Sequence, residues 1–181
     1  MRQLGLDPRH LVFIDETWTK TNMTRLYGRA ASGQRLVAQV PHGHWKTTTL
    51  IAALDHMGIR CSTTVDGAIN REIFEAFVQQ VLIPTLRPGD LVVLDNLSSH
   101  KGPAVAAQIA AVGAQVLYLP AYSPDLNPIE PAFSKIKQLL RSLACRDQKT
   151  LWQSIQPVLD QITASDAQGF FRHCGYTLQA N

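Results

Sequence analysis

Three carboxylates carry the strongest chemical signal in this sequence. Asp15 and Asp95 each follow directly after a run of four apolar residues, and Glu130 ends the segment Tyr122–Glu130, which reads YSPDLNPIE. A carboxylate beside a buried strand is costly unless it is solvated, paired or bound to a metal ion. No cluster of Cys and His competes for zinc, so these carboxylates suit the hard cations Mg²⁺ and Mn²⁺. Two such ions about 4 Å apart catalyse phosphoryl displacement. The three residues are therefore candidate ligands of a two-metal site.

Glu130 also has a structural interpretation. Asn127 is a good helix N-cap, Pro128 fits the first helical position and Glu130 the third, so the glutamate is able to close a capping box. The helix that follows carries one apolar stripe, formed by Ile129, Phe133, Ile136, Leu140 and Leu143. A face about 100° away from that stripe holds Glu130, Ser134, Lys137 and Arg141. A capping glutamate and a metal ligand are compatible roles, and both stay open.

The elements that must position these residues are predicted from apolar runs and turn signals. Strands are predicted at 11–14, 35–40, 47–54, 59–65, 91–94 and 116–119, and helices at about 71–82, 103–112, 128–144 and 150–162. A meander of strands followed by alternating strands and helices predicts an α/β fold, with a mixed central sheet and helices packed on both faces. Active sites in open α/β sheets form beyond the carboxyl ends of strands, so both aspartates are expected at such an edge.

Composition and charge narrow the functional classes. The chain has 181 residues, 45% apolar and 17% charged, which predicts one globular domain. Three widely separated cysteines match neither a disulfide framework nor a zinc knuckle and suggest a reducing cytosol. The sequence shows no signal peptide and no membrane span. The net charge is +3, with bases concentrated at 20–60 and 135–149. These basic stretches indicate either a polyanionic partner or a solvated surface.

Several further residues admit two interpretations each. His100 follows Asp95 by five residues and either contacts phosphate, assists proton transfer, or is an ordinary loop histidine. Trp18 and Trp45 are candidates for stacking on unpaired bases, although such residues are more often packing groups. His42 and His44 lack a third partner at metal-ligand spacing, which favours a surface loop.

In this order, the motifs resemble those of the DDE transposases of bacterial insertion sequences, in the mariner superfamily. The matching segments are FIDET at 13–17, VLDN at 93–96 with His100, and LP at 119–120 followed by Tyr122–Glu130. Between Asp95 and Glu130 lie residues 96–129, a spacing that matches the bacterial branch. The resemblance covers about residues 10–145, and Tyr122–Glu130 is its most specific part.

The resemblance implies a ribonuclease H-like fold over a single catalytic domain at 1–181. It implies that water nicks a DNA strand and that the resulting 3′-hydroxyl then attacks target DNA. It also implies two Mg²⁺ ions, or Mn²⁺ as a substitute, held by Asp15, Asp95 and Glu130. Asn96 and His100 are expected in supporting roles. The cations expected to contact double-stranded DNA are Lys101, Lys135, Lys137 and Arg141.

The resemblance also implies partners and a location. A homodimer on the element ends and target DNA is expected, in the bacterial cytoplasm and at the nucleoid. Such transposases carry N-terminal helix-turn-helix modules, whereas about ten residues precede the first predicted strand here. We therefore expect these modules to be absent from this chain, either because another reading frame encodes them or because the copy is truncated.

Three alternatives compete with this interpretation. A haloacid-dehalogenase-type phosphohydrolase would place a second aspartate two residues after the first, where Thr17 stands. The second alternative is a cellular ribonuclease H-like nuclease, and only the segment Tyr122–Glu130 argues against it. The third alternative is an inactive transposase remnant that binds DNA or transposase subunits.

Overall fold

One five-stranded sheet organises the computed structural model, which describes residues 6–96 and 102–177. The strands are β1 (Leu11–Lys20), β2 (Thr47–Asp55), β3 (Gly58–Asp66), β4 (Leu91–Leu94) and β5 (Gln115–Tyr118). Their spatial order is β3-β2-β1-β4-β5. The first three strands form an antiparallel meander, and β4 and β5 run parallel to β1. The mixed central sheet predicted from the sequence is thus confirmed.

Five α-helices accompany the sheet within the described residues. They are α1 (Arg71–Phe77), α2 (Pro103–Ala111), α3 (Ile129–Leu143), α4 (Gln148–Leu159) and α5 (Ala164–His173). The Asn70 side chain accepts the Ile73 N–H at 2.9 Å and starts α1 as predicted. Helix α1 continues into a π-helical turn, Val78–Leu82, and a 3-10 turn, Ile83–Thr85. No helix in this part of the chain is long and apolar enough to cross a membrane.

Both faces of the sheet are covered by helices. Side chains alternate along a strand, so Leu11 and Phe13 of β1 pack into one core together with residues of α3, α4 and α5. Val12 and Ile14 point the other way and pack with residues of α1 and α2. The short strand β4 is buried in the same way, with Val93 in the first core and Val92 and Leu94 in the second. This double burial explains why both strands appear in the sequence as continuous apolar runs.

The prediction of a strand at 35–40 is wrong. Residues 34–42 carry no regular secondary structure, and Leu36, Val37 and Val40 are all exposed. The alternation of apolar and polar residues there lacks a partner strand, because β2 already pairs with β1 on one side and with β3 on the other. A strand without a partner leaves its backbone groups to water and gains no stability from pairing.

Strand β1 and the C-terminal helices differ in extent from their predictions. β1 continues six residues beyond its apolar run, because β2 pairs with it as far as Lys20, opposite Thr47. The helix predicted at 150–162 is α4, which starts earlier, at Gln148. Helix α5 was not predicted. It begins with a capping box in which the Thr163 side chain accepts the Asp166 N–H and the Asp166 carboxylate accepts the Thr163 N–H.

Candidate active site

The register of β1 and β4 brings two of the candidate carboxylates to one place on the sheet. Ile14 pairs with Leu94 in parallel alignment, and β4 ends there, so Asp15 and Asp95 follow on neighbouring chain segments. Asp15 does not end its strand as predicted; it lies in the middle of β1, where β4 stops beside it. By strand alternation it faces the same side of the sheet as Phe13, which is the side covered by α3. Asp15 is buried, and Asp95 is half-buried.

Glu130 reaches the same region from the other direction. It is the second residue of α3 and is exposed. A cavity of about 340 Å³ lies between the sheet and the loop before α3. Its lining includes all three candidate carboxylates together with Asn96, Leu119, Pro120, Ala121, Tyr122, Ser123, Pro124 and Asn127. The segment that carries the most specific sequence motif thus forms one wall of the cavity that contains Asp15 and Asp95.

Electrostatics indicate that the carboxylates influence one another. The pKa of Asp15 is raised to about 7, chiefly by burial and then by the negative charges of Glu130, Glu16 and Asp95. The Glu16 N–H, which donates to Asp15 Oδ1 at 2.8 Å, acts in the opposite direction. Several like charges around one buried carboxyl disfavour its ionised form unless a cation is present. This surplus of negative charge is the condition under which a divalent cation binds well.

The oxygen atoms of the three carboxylates are of the type that Mg²⁺ and Mn²⁺ prefer, but the three groups do not lie close enough together to bind one ion. Throughout residues 6–96 and 102–177, no three His, Cys, Asp or Glu side chains lie close enough together to form a metal-binding group. The carboxylates share a cavity without meeting at ligand distance, as expected for like charges that repel one another. Oxygen donors of this kind are what hard divalent cations prefer, and the exposed Glu130 is able to turn. Convergence of the three carboxylates on two ions stays a prediction.

Asn127 has a different role from the one predicted. Its side chain does not cap α3: the N-cap is Pro128, which makes no side-chain capping bond. Instead, Asn127 Nδ2 donates to Asp15 Oδ2 at 2.9 Å. The capping box of Asn127 and Glu130, one of the two interpretations that the sequence leaves open, is therefore absent, and the Asn127 amide instead bonds to a residue 112 positions away in sequence. Sequence reasoning missed Asn127 as a site residue, and its place three residues before Glu130 was the available signal.

Cations from β1 and α3 contact two exposed aromatic rings, outside the lining of this cavity. Lys137 Nζ lies 4.7 Å from the ring centroid of Trp18, and Lys20 Nζ lies 4.6 Å from the same ring. Lys20 Nζ is also 5.4 Å from the Trp45 ring. Both tryptophan side chains are about half exposed, so neither is a core packing group. Burial lowers the pKa of Lys137, whereas the charge of Glu130 raises it, which places this ammonium within the field of the candidate site.

The remaining predicted site residues are distributed as follows. Asn96 is exposed and lines the cavity. Arg141 lies one turn after Lys137 on α3 and is half-buried. Lys135 faces away from the site, since its Nζ lies 2.6 Å from Asp166 Oδ2 at the start of α5. His100 and Lys101 lie outside the described residues.

Comparison with known proteins agrees with the architecture. The solved structures that resemble the chain include the Mos1 strand transfer complex, at 19% identity and a TM-score of 0.73, covering 92% of this chain and 52% of that one. A pre-cleavage Mos1 transpososome matches at 17% identity and a TM-score of 0.72, covering 93% and 53% of the two chains. The isolated catalytic domain of Mos1 mariner transposase matches at 16% identity and a TM-score of 0.65, covering 93% and 78%. No curated protein matches.

The fold is therefore the ribonuclease H-like fold of transposase catalytic domains. Residues 10–152 match the family model described as DDE superfamily endonuclease, and the chain belongs to that family. The resemblance to DDE transposases that was drawn from the three sequence segments is confirmed at the level of this family. The chain spans about half the length of the Mos1 chains in the two complexes.

Proposed function

We propose that this chain is the catalytic domain of a cut-and-paste transposase that cleaves DNA at the ends of an insertion sequence and transfers them to target DNA. The observation that carries the proposal is the common cavity of Asp15, Asp95 and Glu130, in a chain of the DDE endonuclease family. Each carboxylate comes from a different element, namely the middle of β1, the end of β4 and the start of α3. A site assembled from three elements forms only in the folded chain.

The three carboxylates are the proposed ligands of divalent cations. When bound, two Mg²⁺ ions activate the nucleophile and stabilise the leaving oxygen in phosphoryl displacement. Asp15 is the most rigid of the three, because it lies on a buried strand and both of its oxygens accept hydrogen bonds. Glu130 is exposed and is able to adjust. Mos1 paired-end complexes with Mg and with Mn are among the structures that share this fold, which supports the choice of ion.

The proposed substrate is double-stranded DNA. Lys137 and Arg141 follow Glu130 along α3, so their charges are available to phosphates that approach the cavity. The proposed DNA-binding surface includes Lys137 and Arg141. It is extended by the ammonium group of Lys20 and the exposed rings of Trp18 and Trp45. Asn96 is proposed to orient groups at the mouth of the cavity. A homodimer on DNA, acting with a helix-turn-helix part that recognises the element ends, is the proposed working assembly.

A plasmid-nicking assay tests this function. The purified chain is incubated with supercoiled plasmid carrying the element ends and Mg²⁺, with and without the supplied N-terminal part. Asp95→Asn should abolish Mg²⁺-dependent nicking. Asp125→Asn is the matched control, because this exposed carboxylate lies in the loop that precedes α3 but does not line the cavity. DNA binding without nicking under all these conditions would instead identify an inactive remnant.

A further inference from the structure

We propose that Asn127 is a positioning residue that fixes the orientation of the Asp15 carboxylate. The inference rests on the proposed function, since it concerns the metal site of that function. Asn127 Nδ2 donates to Asp15 Oδ2 at 2.9 Å, and the Glu16 N–H donates to Asp15 Oδ1 at 2.8 Å. Each carboxylate oxygen thus has its own donor. Two donors on two oxygens prevent the carboxylate from rotating about its terminal bond, so its remaining lone pairs keep one direction.

The bond between Asn127 and Asp15 is shielded from water. Asn127 is 4% exposed and Asp15 is 8% exposed. A hydrogen bond from an amide to a carboxylate is stronger in such surroundings than on a surface, because water does not compete for either group. The bond is therefore able to hold Asp15 against the repulsion of the neighbouring carboxylates.

The loop does not need the Asn127 side chain for its own hydrogen bonds. The Asn127 N–H donates to the Pro124 carbonyl, and its carbonyl accepts the Glu130 N–H, both at 3.1 Å. Meanwhile Asn127 Oδ1 is buried and has no hydrogen-bond partner among residues 6–96 and 102–177. A buried amide oxygen without a partner costs stability. The loop's own hydrogen bonds do not account for this buried and destabilising side chain, whereas its bond to Asp15 does.

The chemistry of the amide also suits this position. An amide donor orients a carboxylate without adding a charge, whereas a lysine or arginine would form an ion pair and compete with a divalent cation. Asn127 precedes Glu130 by three residues, so one short segment both supplies one carboxylate and orients another. Folding of this loop is thereby coupled to the geometry of Asp15, on the opposite wall of the cavity.

Mn²⁺ binding to the whole chain, measured by titration calorimetry, tests the inference without relying on activity. Asn127→Ala removes the donor, and Asn127→Leu removes it while keeping the number and branching of the side-chain heavy atoms. Tyr176→Phe is the matched control, because the Tyr176 hydroxyl donates to the Leu126 carbonyl at 2.8 Å and so anchors the same loop, whereas Asn127 Nδ2 and the Glu16 N–H are donors to Asp15. Loss of a bond that orients a metal ligand typically weakens metal affinity about 10–100-fold. We expect a loss of that size in both Asn127 variants and less than about a twofold loss in Tyr176→Phe.

Nicking provides a second readout. In the Asn127 variants the half-saturating Mg²⁺ concentration should rise, while the KM for plasmid DNA stays within about twofold of the wild type. Wild-type Mn²⁺ affinity in Asn127→Leu would overturn the inference. So would an equal loss in Tyr176→Phe, because Asn127 would then act only by anchoring the loop. Failure of the wild-type chain to bind Mn²⁺ at all would overturn the proposed function itself, and the inference with it.

Discussion

The Asp15 carboxyl makes the stability of the metal-free protein depend on pH. Its pKa is raised from 3.8 to about 7, chiefly by burial and then by the charges of Glu130, Glu16 and Asp95. A carboxyl whose pKa is higher in the folded state disfavours folding once it ionises. The penalty is absent below about pH 4, grows as the pH rises and is complete above about pH 7. Asp15→Asn should remove this penalty.

The size of the effect follows from the pKa difference. A shift of about three pH units at roughly 1.4 kcal/mol per unit gives an upper limit of about 4 kcal/mol above pH 7. Between pH 5 and pH 7.5 the penalty should grow by roughly 2–3 kcal/mol. For a domain of this size, 1 kcal/mol corresponds to roughly 2–4 °C in Tm. The Tm advantage of Asp15→Asn over the wild type should therefore increase by about 5–10 °C across this pH range.

The substitution fits the local hydrogen bonds. An asparagine at position 15 keeps one oxygen for the Glu16 N–H and presents an NH₂ group toward Asn127. If the Asn127 amide turns over, its oxygen accepts from that group, so the hydrogen bond between the two side chains is kept. The variant should thus fold at least as well as the wild type. Mg²⁺ should raise the Tm of the wild type by selective binding to the folded state but should not raise that of the variant.

Thermal unfolding in EDTA, followed by circular dichroism at pH 5.0, 6.0 and 7.5, measures the effect. Asp166→Asn is the control of opposite sign. The Lys135 side chain and the Thr163 groups lower the pKa of Asp166 to about 2, so its stabilisation is complete above about pH 4 and is lost as the pH falls toward 2. Its Tm difference from the wild type should stay constant from pH 5.0 to 7.5. A constant difference for Asp15→Asn as well would refute the electrostatic account of the site.

Four further outcomes are expected. Glu130→Gln should change stability by only about ±0.5 kcal/mol, because the side chain is exposed and no side-chain bond caps α3. The same substitution should abolish Mg²⁺-dependent nicking, and nicking at the wild-type rate would contradict the role of Glu130 as a ligand. Binding of a fluorescent duplex should be independent of sequence and fall steeply with salt, and tight binding to one sequence at moderate salt would oppose this. Lys137→Ala should reduce the slope of that salt dependence by about one, whereas Lys135→Ala, whose charge is paired with Asp166, should leave it unchanged. Thr163→Ala should destabilise the protein by about 1 kcal/mol in denaturant unfolding, since it removes the cap of α5.

The buried strands were the most predictable part of the fold. In β1 and β4 both sheet faces are covered, so burial alone produces the continuous apolar runs at 11–14 and 91–94. The polar half of β1 was not predictable, because its stability comes from pairing with β2 and not from its own side chains. The same dependence on a partner explains the error at 35–40, where a suitable alternation has no strand beside it.

The candidate site shows where local rules give way to tertiary contacts. Asn127, Pro128 and Glu130 fit a capping box by position, and nothing within the segment argues against it. In the folded chain the Asn127 Nδ2 group donates to the buried Asp15 carboxylate, and this contact orients the amide so that its oxygen does not cap α3. The helix then begins at Ile129 without a side-chain cap, and Glu130 stays exposed at the wall of the cavity. Glu130 forms no cap, and the amide three residues before it bonds to the buried Asp15. The metal-ligand role that we propose for both carboxylates accounts for this arrangement, whereas helix capping does not.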